Sequence, residues 1–255
     1  MIAVLLVLVL VGGWEAYVQL SGIDEFVLPA PSEVAVALYD DRGLLWTNFA
    51  VTAGEIGLGI ALALALGLGS SVALHFSPRL RRTLYPLLVG SQTLPIPIVA
   101  PLLVVWFGFG LAPKLAIIAL VCFFPIVVPT LDALERVDAD QRKLMRTFGA
   151  SRWQTFRIVE APFALPGLFT GAKLSVAVAT IAAVLAEWSG SEDGLGHLFQ
   201  QALPNLETAR AYAAVLILAA FAVALFGLLA LAERRLLPWS RPVPVSRLVR
   251  GIPLR

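Results

Sequence analysis

The chain has 255 residues, of which 59% are hydrophobic and 14% charged, and its mean hydropathy is +0.86. A soluble domain carries about 25% charged residues, so most of this apolar surface is expected to face lipid. Two histidines and a single cysteine, Cys122, exclude a disulfide framework or a cysteine zinc site within one chain, and a net charge of +2 gives no ground for nucleic-acid binding.

Crossing about 30 Å of hydrocarbon takes roughly 20 residues of helix. Met1–Leu20 is long enough, with Glu15 near its far end, and it lacks the basic start and the cleavage site of a signal peptide. It is read as the first span. Leu28–Glu55 comes next, with Ser32 in an N-cap position before an amphipathic run to Leu38, and is expected to lie along the outer membrane surface. Ile56–Phe76, rich in Gly and Ala, is the second span. Leu84–Leu111 is the third, broken or kinked by Pro95, Pro97 and Pro101. Leu115–Leu131 is the fourth, Leu168–Trp188 the fifth, with Lys173 near its entry, and Ala211–Ala232 the sixth. Between the last two lies a Gly-flanked turn and a short helical stretch ending at Pro204. The expected fold is all-α, a polytopic membrane protein with about six transmembrane helices in a single domain over residues 1–255, with a loop at 138–166 and a tail at 233–255.

Basic residues are sorted by side. Arg79, Arg81 and Arg82, the six of the long loop (Arg136, Arg142, Lys143, Arg146, Arg152, Arg157), and Arg234, Arg235, Arg241, Arg247, Arg250 and Arg255 of the tail all fall on one face. The other face has only Arg42, Lys114 and Arg210, while Lys173 can snorkel to the basic side. By the positive-inside rule both termini and the loop are cytoplasmic.

Catalytic chemistry is missing. The two histidines, His75 and His197, fall at opposite membrane faces, and no H-E-x-x-H, G-x-S-x-G or G-x-x-x-x-G-K-[ST] run occurs. No catalytic or metal-ligating residue is therefore assigned. The pairs Gly57/Gly59, Gly67/Gly69 and Gly108/Gly110 lie in or beside apolar spans, where close helix packing accounts for them better than phosphate binding. Glu15, Glu55, Asp132 and Glu187 sit near span ends and are expected to be solvated at the interface, so nothing buried is left for ion coupling. Glu187 stands out, because Trp188 and a Gly-rich turn accompany it where a pathway would open outward.

The loop Asp138–Pro166 reads DADQRKLMRTFGASRWQTFRIVEAPFALP. Leu144, Phe148, Phe156 and Val159 recur at helical spacing on either side of Gly149, which predicts helix, turn, helix, ended by Pro162 and Pro166. Phe148, Trp153 and Phe156 can fill a groove on a soluble partner while Arg142, Lys143, Arg146 and Arg152 face acidic residues or lipid headgroups. An amphipathic helix lying on lipid has the same pattern.

These residues resemble the cytoplasmic EAA loop of binding-protein-dependent ABC transporter permeases. Gly149 matches that pattern's glycine, Val159 its hydrophobic position and Pro162 its proline, but Lys143-Leu144-Met145 replaces Glu-Ala-Ala. LPAPSEV, SQTLPIPIVAPLLVVWFGFGLAPK, CFFPIVVPTLDAL and AEWSGSEDGLG are similar to blocks of the nitrate/sulfonate/taurine branch, in the same order.

The resemblance implies a permease subunit of an ATP-driven importer in the bacterial inner membrane. Its partners would be a second copy of the permease, a cytoplasmic ATPase dimer and an extracytoplasmic solute-binding protein. The permease itself would carry no cofactor, since ATP and Mg are bound by the ATPase. Arg142, Lys143, Arg146, Phe148, Gly149, Ala150, Ser151, Trp153, Phe156 and Pro162 would couple it to the ATPase. Ser91, Gln92, Thr93, Trp106, Glu187 and Trp188 are the pathway candidates; helix–helix hydrogen bonding and interface anchoring are the competing roles. RKLMRTFGAS, ASRWQTFRIVEAP and AEWSGSEDGLG are most similar to branch members importing pyrimidine precursors of thiamine; sulfonate, taurine or nitrate is the alternative, and the spans hold no arginine for an oxyanion. A secondary carrier without an ATPase, and an intramembrane enzyme or scaffold, are the alternatives of other classes.

Overall fold

Apolar segments can enter lipid only if their backbone groups bond within the segment, which favours helix throughout, and every regular element among the described residues is helical. The computed structural model describes residues 2–240. Expectations resting on 241–255, including Arg241, Arg247, Arg250 and Arg255 and most of the tail, lie outside the described residues.

In chain order the helices are α1 (Ile2–Ser21), α2 (Pro31–Asp40), α3 (Arg42–Phe76), α4 (Pro78–Ser91), α5 (Ile96–Phe107), α6 (Leu111–Glu135), α7 (Ala139–Thr147), α8 (Arg152–Thr155), α9 (Ala161–Trp188), α10 (Leu195–Ala202) and α11 (Thr208–Leu236). A single π turn, Phe156–Glu160, joins α8 to α9 without a break. Four helices are long and apolar enough to cross a membrane: α3, α6, α11 and the continuous Arg152–Trp188. α4 and α5, bent by 104° at the break, would make a fifth. The apolar run Leu5–Ser21 of α1 is the remaining candidate for the sixth.

The third span is broken where its prolines demanded. Pro95 precedes the first residue of α5 and Pro97 lies in its first turn, positions where a missing N–H costs nothing, so a new helix starts there instead of the old one continuing.

Two expectations about helix limits are corrected. The second span is not confined to Ile56–Phe76: α3 starts at Arg42 and takes in much of the segment expected to lie flat outside. Only α2 remains separate. Its N-cap is Ala30 rather than Ser32, and the Ala30 N–H donates to Glu33 Oε2 at 2.6 Å. Ser32 instead donates from N and Oγ to the Glu15 carboxylate, 3.0 and 2.8 Å, tying α2 to α1. Nor do Pro162 and Pro166 end the loop's second helix, because the helix runs on to Trp188. Pro162 has no N–H for the Ile158 carbonyl and its ring crowds that carbonyl. The chain widens into the π turn just before it, with the Ala161 N–H bonding Phe156 O, and the helix passes the proline intact.

The core is the packing of α3, α6 and α9, through Ile56, Ile118, Cys122, Ile126, Ala179 and Ala183. Small residues set how close these helices come. A Cβ on Gly59 would strike the side chain of Ile118, and one on Gly67 would lie 2.7 Å from Ile126 Cγ2, so both glycines serve α3–α6 contact as expected. Gly57, Gly69, Gly108 and Gly110 have nothing within 4 Å of a Cβ, and the close packing expected of them is not found. On α9, a Cβ at Gly171 would lie 2.5 Å from the Pro125 carbonyl oxygen. That carbonyl has no helical donor, because the residue four further on is Pro129. Ser175 Oγ donates to Cys122 O (3.2 Å) and Gly171 O (2.9 Å), and Ser71 Oγ donates to Gly67 O (2.8 Å), placing it 3.3 Å from Val127 O. The bundle is therefore held by backbone proximity and short hydroxyl bonds more than by large side chains. α11 closes the outer side, where Arg210 grips both oxygens of Asp41, between α2 and α3, at 2.6 and 3.1 Å.

Candidate functional site

On the basic side, α7 and α8 make the helix–turn–helix foreseen from the loop sequence. Asp138 caps α7 by accepting from Asp140 N–H at 2.9 Å. α7 ends in a turn where the Gly149 N–H donates to Arg146 O (2.9 Å) and the Ala150 N–H to Met145 O (3.0 Å). Gly149 has φ +73 and nothing within 4 Å of where a Cβ would stand, so it is required for its left-handed backbone and not for close packing. Ser151 then caps α8: its Oγ accepts from Gln154 N–H at 3.2 Å, and Gln154 Oε1 accepts from Ser151 N–H at 2.7 Å.

The aromatic residues of the loop divide in two. Phe148 is 78% and Trp153 58% exposed at the tip. Phe156 is only 8% exposed and packs with Leu134 and Ala164 while its ring meets Phe76 at 5.1 Å and Trp153 at 5.2 Å. It holds the loop to the bundle, which corrects the expectation that it fills a partner's groove. Arg142 is likewise turned inward, onto Glu160 at 2.6 Å and Leu134 O at 2.8 Å. Lys143 pairs with Asp140 at 2.9 Å in full solvent. Arg146 is exposed, and Arg152 lies over the Phe76 ring at 5.2 Å. A polar cleft of about 450 Å³ opens between them, lined by His75, Glu135, Arg142, Arg146, Arg152 and Glu160, among others. Pro162 stands in the first turn of α9 and acts through the π turn it forces.

At the end of the bundle away from the basic loop lies a buried polar cluster. Glu187 is 1% and Glu55 3% exposed. The expected interfacial solvation of these two carboxylates, and the expected lack of buried charge, are thus overturned. Glu187 serves as a cap supplied from another helix: its Oε2 accepts from the Gly196 and His197 N–H groups at 2.6 and 3.2 Å, and its Oε1 from Thr52 Oγ1 at 2.6 Å. Thr52 Oγ1 accepts in turn from Leu195 N–H (2.8 Å), and Asn48 Oδ1 from Gly194 N–H (2.7 Å). The first N–H groups of α10 are thereby satisfied entirely by side chains of α3 and α9, and the carboxylate sits at the positive end of the helix. Beside it, buried Lys114 donates to Glu55 Oε1 and Ser191 Oγ, both at 2.6 Å. Trp188 Nε1 donates to Gly196 O at 2.9 Å and its ring stacks on Phe199.

Removing one member of such a buried pair costs about 3–5 kcal/mol, because the other charge stays without a partner. Lys114→Met is therefore expected to lower the unfolding temperature of the detergent-purified protein. Adding Glu55→Leu should recover most of the loss; equal stability of wild type and Lys114→Met would show that Glu55 is not held as a charged partner.

The pathway candidates are not gathered at one place. Ser91, Gln92 and Thr93 stand at the bend between α4 and α5, where the Ser91 and Thr93 hydroxyls donate to Leu88 O (2.7 Å) and Gly90 O (2.8 Å) and Gln92 is exposed. Trp106 is exposed at the far end of α5, about 15 Å along the helix at 1.5 Å per residue. Glu187 and Trp188 belong to the cap of α10. Sequence reasoning missed Asn48, Thr52, His75, Lys114 and Glu160. The signal for Glu160 was its place just before Ala161-Pro162; the other four carry no local mark, since their partners are remote in the chain.

Several helices long and apolar enough to cross a membrane, with an ordered basic loop carrying exposed aromatics, make this a polytopic membrane protein. Residues 58–238 match the family described as binding-protein-dependent transport system inner membrane component. The chain belongs to that family, as a multi-pass inner-membrane permease of the ABC importer type. It is 38% identical over 229 residues to the riboflavin transport system permease protein RibX of Chloroflexus aurantiacus, covering 89% of this chain and 85% of that one. It is 33% identical over 229 residues to the formylaminopyrimidine transport permease protein ThiX of Halalkalibacterium halodurans, covering 89% and 91%. Among solved structures it resembles one of an amino acid ABC transporter with histidines, at a TM-score of 0.62 and 16% identity over 78% of this chain and 97% of that one, a likeness of fold.

Proposed function

We propose that two copies of this chain form the pathway of an ATP-driven importer, with six spans per copy and both termini in the cytoplasm. The tip of the 138–166 loop docks on a cytoplasmic ATPase, and an extracytoplasmic binding protein delivers the solute. The observation that carries this is the loop itself. A flexible connection would leave Phe148 and Trp153 on a mobile tether, whereas here two capped helices and a left-handed glycine hold both rings outward on the basic side. The helix Arg152–Trp188 has 37 residues, about 55 Å at 1.5 Å per residue, against a hydrocarbon core of about 30 Å. It reaches well beyond the membrane and can act as a lever.

For the solute, the best-supported class is a neutral planar heterocycle of the kind of a thiamine-precursor pyrimidine. The similarity to permeases named for formylaminopyrimidine and riboflavin supports this class, while permeases named for taurine and aliphatic sulfonates, 32% and 30% identical, keep sulfonates as the second reading. Gln92 and Trp106 are the pathway residues that suit it, by hydrogen bonding and stacking, with Ser91 and Thr93 beside Gln92. Glu187 and Trp188 shape the outer mouth through α10.

Phe148→Ala and Trp153→Ala are expected to insert normally and to lose ATPase co-purification at least tenfold. Retention of the ATPase by the double variant would make the loop a lipid-surface helix, and solute movement by the purified chain alone down an ion gradient would favour a secondary carrier. For topology, single-cysteine labelling in a Cys122→Ala background should reach position 79 from the cytoplasmic side and position 42 only from outside; the reverse at 42 would end the six-span arrangement. Thermal shifts of the cognate binding protein with pyrimidines, sulfonates and nitrate would identify the solute, because ligand binding stabilises the folded state.

A further inference from the structure

One carboxylate joins the loop to the bundle. Glu160 is 6% exposed. Its Oε2 lies 2.8 Å from His75 Nε2 in the last turn of α3, and its Oε1 accepts from Arg142 Nε of α7 at 2.6 Å. Arg142 also donates from Nη2 to Leu134 O, 2.8 Å, in the last turn of α6. Four elements, α3, α6, α7 and the helix Arg152–Trp188, thus meet at a single charge. Local sequence sets its position: the π turn forced by Pro162 adds one residue to the helix, and an added residue rotates the remainder of a helix by roughly 100°.

α7 is joined to α6 by the short link 136–138; two further routes lead from it to the long helix Arg152–Trp188. The covalent one passes through the turn at 148–151, whose glycine has no packing neighbour within 4 Å of a would-be Cβ, so no side chain of the bundle braces the turn there. The other passes through Arg142 to Glu160, short charged hydrogen bonds in which a shift of either partner would strand a buried charge.

We infer that Glu160 is a positioning residue for coupling: the Arg142–Glu160–His75 relay, and not the peptide link through Gly149, passes displacement of α7 to α3 and to the long helix. This rests on the proposed docking of the loop on an ATPase. In that setting the docking face, Phe148 and Trp153, takes up the motion, and Glu160 distributes it to two spans at once.

The test uses the complete transporter in liposomes, permease with its ATPase and binding protein. It reads the ratio of ATP hydrolysis with solute-loaded binding protein to hydrolysis without it, alongside ATPase co-purification. Glu160→Gln and Arg142→Gln are each expected to lower the ratio at least tenfold with the ATPase still bound, and the double variant should be no worse than either, because both remove one link. Arg142→Lys, which keeps the charge but not the second donor to Leu134 O, should recover part of the ratio. Should Glu160→Gln not fold, Arg142→Gln and Arg142→Lys, at a half-buried position, test the same link. A wild-type ratio in both glutamine variants, additive losses in the double, or loss of the ATPase in either would overturn the proposal. If Phe148→Ala and Trp153→Ala release the ATPase while Glu160→Gln stays coupled, only the role of Glu160 falls; if those two retain the ATPase, the docking assignment itself fails.

Discussion

Glu187→Ala will destabilise the permease by about 3 kcal/mol or more. The Gly196 and His197 N–H groups lose their acceptor in a buried site, while the Thr52 hydroxyl keeps Asn48 O at 3.2 Å, and each buried group left unpaired costs about 1–3 kcal/mol. Relief of repulsion from neighbouring Glu55 offsets only part of this, because Glu55 has Lys114 as its own partner. Glu187→Gln keeps one acceptor oxygen and should lose less, about 1–2 kcal/mol. An independent check is Gly194→Ala, which puts a Cβ into the Glu187 carboxyl at a position with φ +116 and should disturb the same cap. Thermal unfolding in detergent reads both. A wild-type melting curve for Glu187→Ala would mean that water or another donor set caps α10. If instead Glu187→Ala is stable but alters which solutes are carried, Glu187 faces the pathway as its sequence context suggested.

On the proposed docking of the loop, Gly149→Val will fold and insert normally, yet lose ATPase association about tenfold. No neighbour obstructs the new side chain, so the penalty is confined to the backbone. Holding φ +73 with a Cβ costs about 1–2 kcal/mol, more for a β-branched residue, and 1.4 kcal/mol is a factor of ten in affinity. The turn will relax toward negative φ, swinging Phe148 away from Trp153 and splitting the docking face. Gly149→Asn, which tolerates the left-handed region, should keep most of the association. The result that would count against this geometry is equal binding by the valine and wild-type proteins, or equal loss in the asparagine and valine variants, which would point to the missing hydrogen of glycine at a contact face.

The sequence by itself determined the class of this protein and the plan of its basic loop. Composition and run length demanded lipid-crossing helices because unpaired backbone groups have no partner in hydrocarbon, and the sorting of arginines sets the direction expected of them. Pro95 and Pro97 broke the third span and Gly149 required a turn, since each acts through its own backbone or that of its close neighbours. The tertiary structure decided what those local rules cannot reach. Pro162 looked like a stop signal, but a helix can absorb a proline by widening one turn when packing on both sides keeps it straight. Phe156 lies on the same loop as Phe148, and packing against Leu134, Ala164 and the end of α3, the last some 80 residues earlier in the chain, makes one buried and leaves the other free. Glu55, Glu160 and Glu187 are costly in lipid and so read as interfacial. Lys114, Arg142, His75 and Thr52 arrive from distant helices to offset that cost, and no pattern along one segment records that four separate segments will meet.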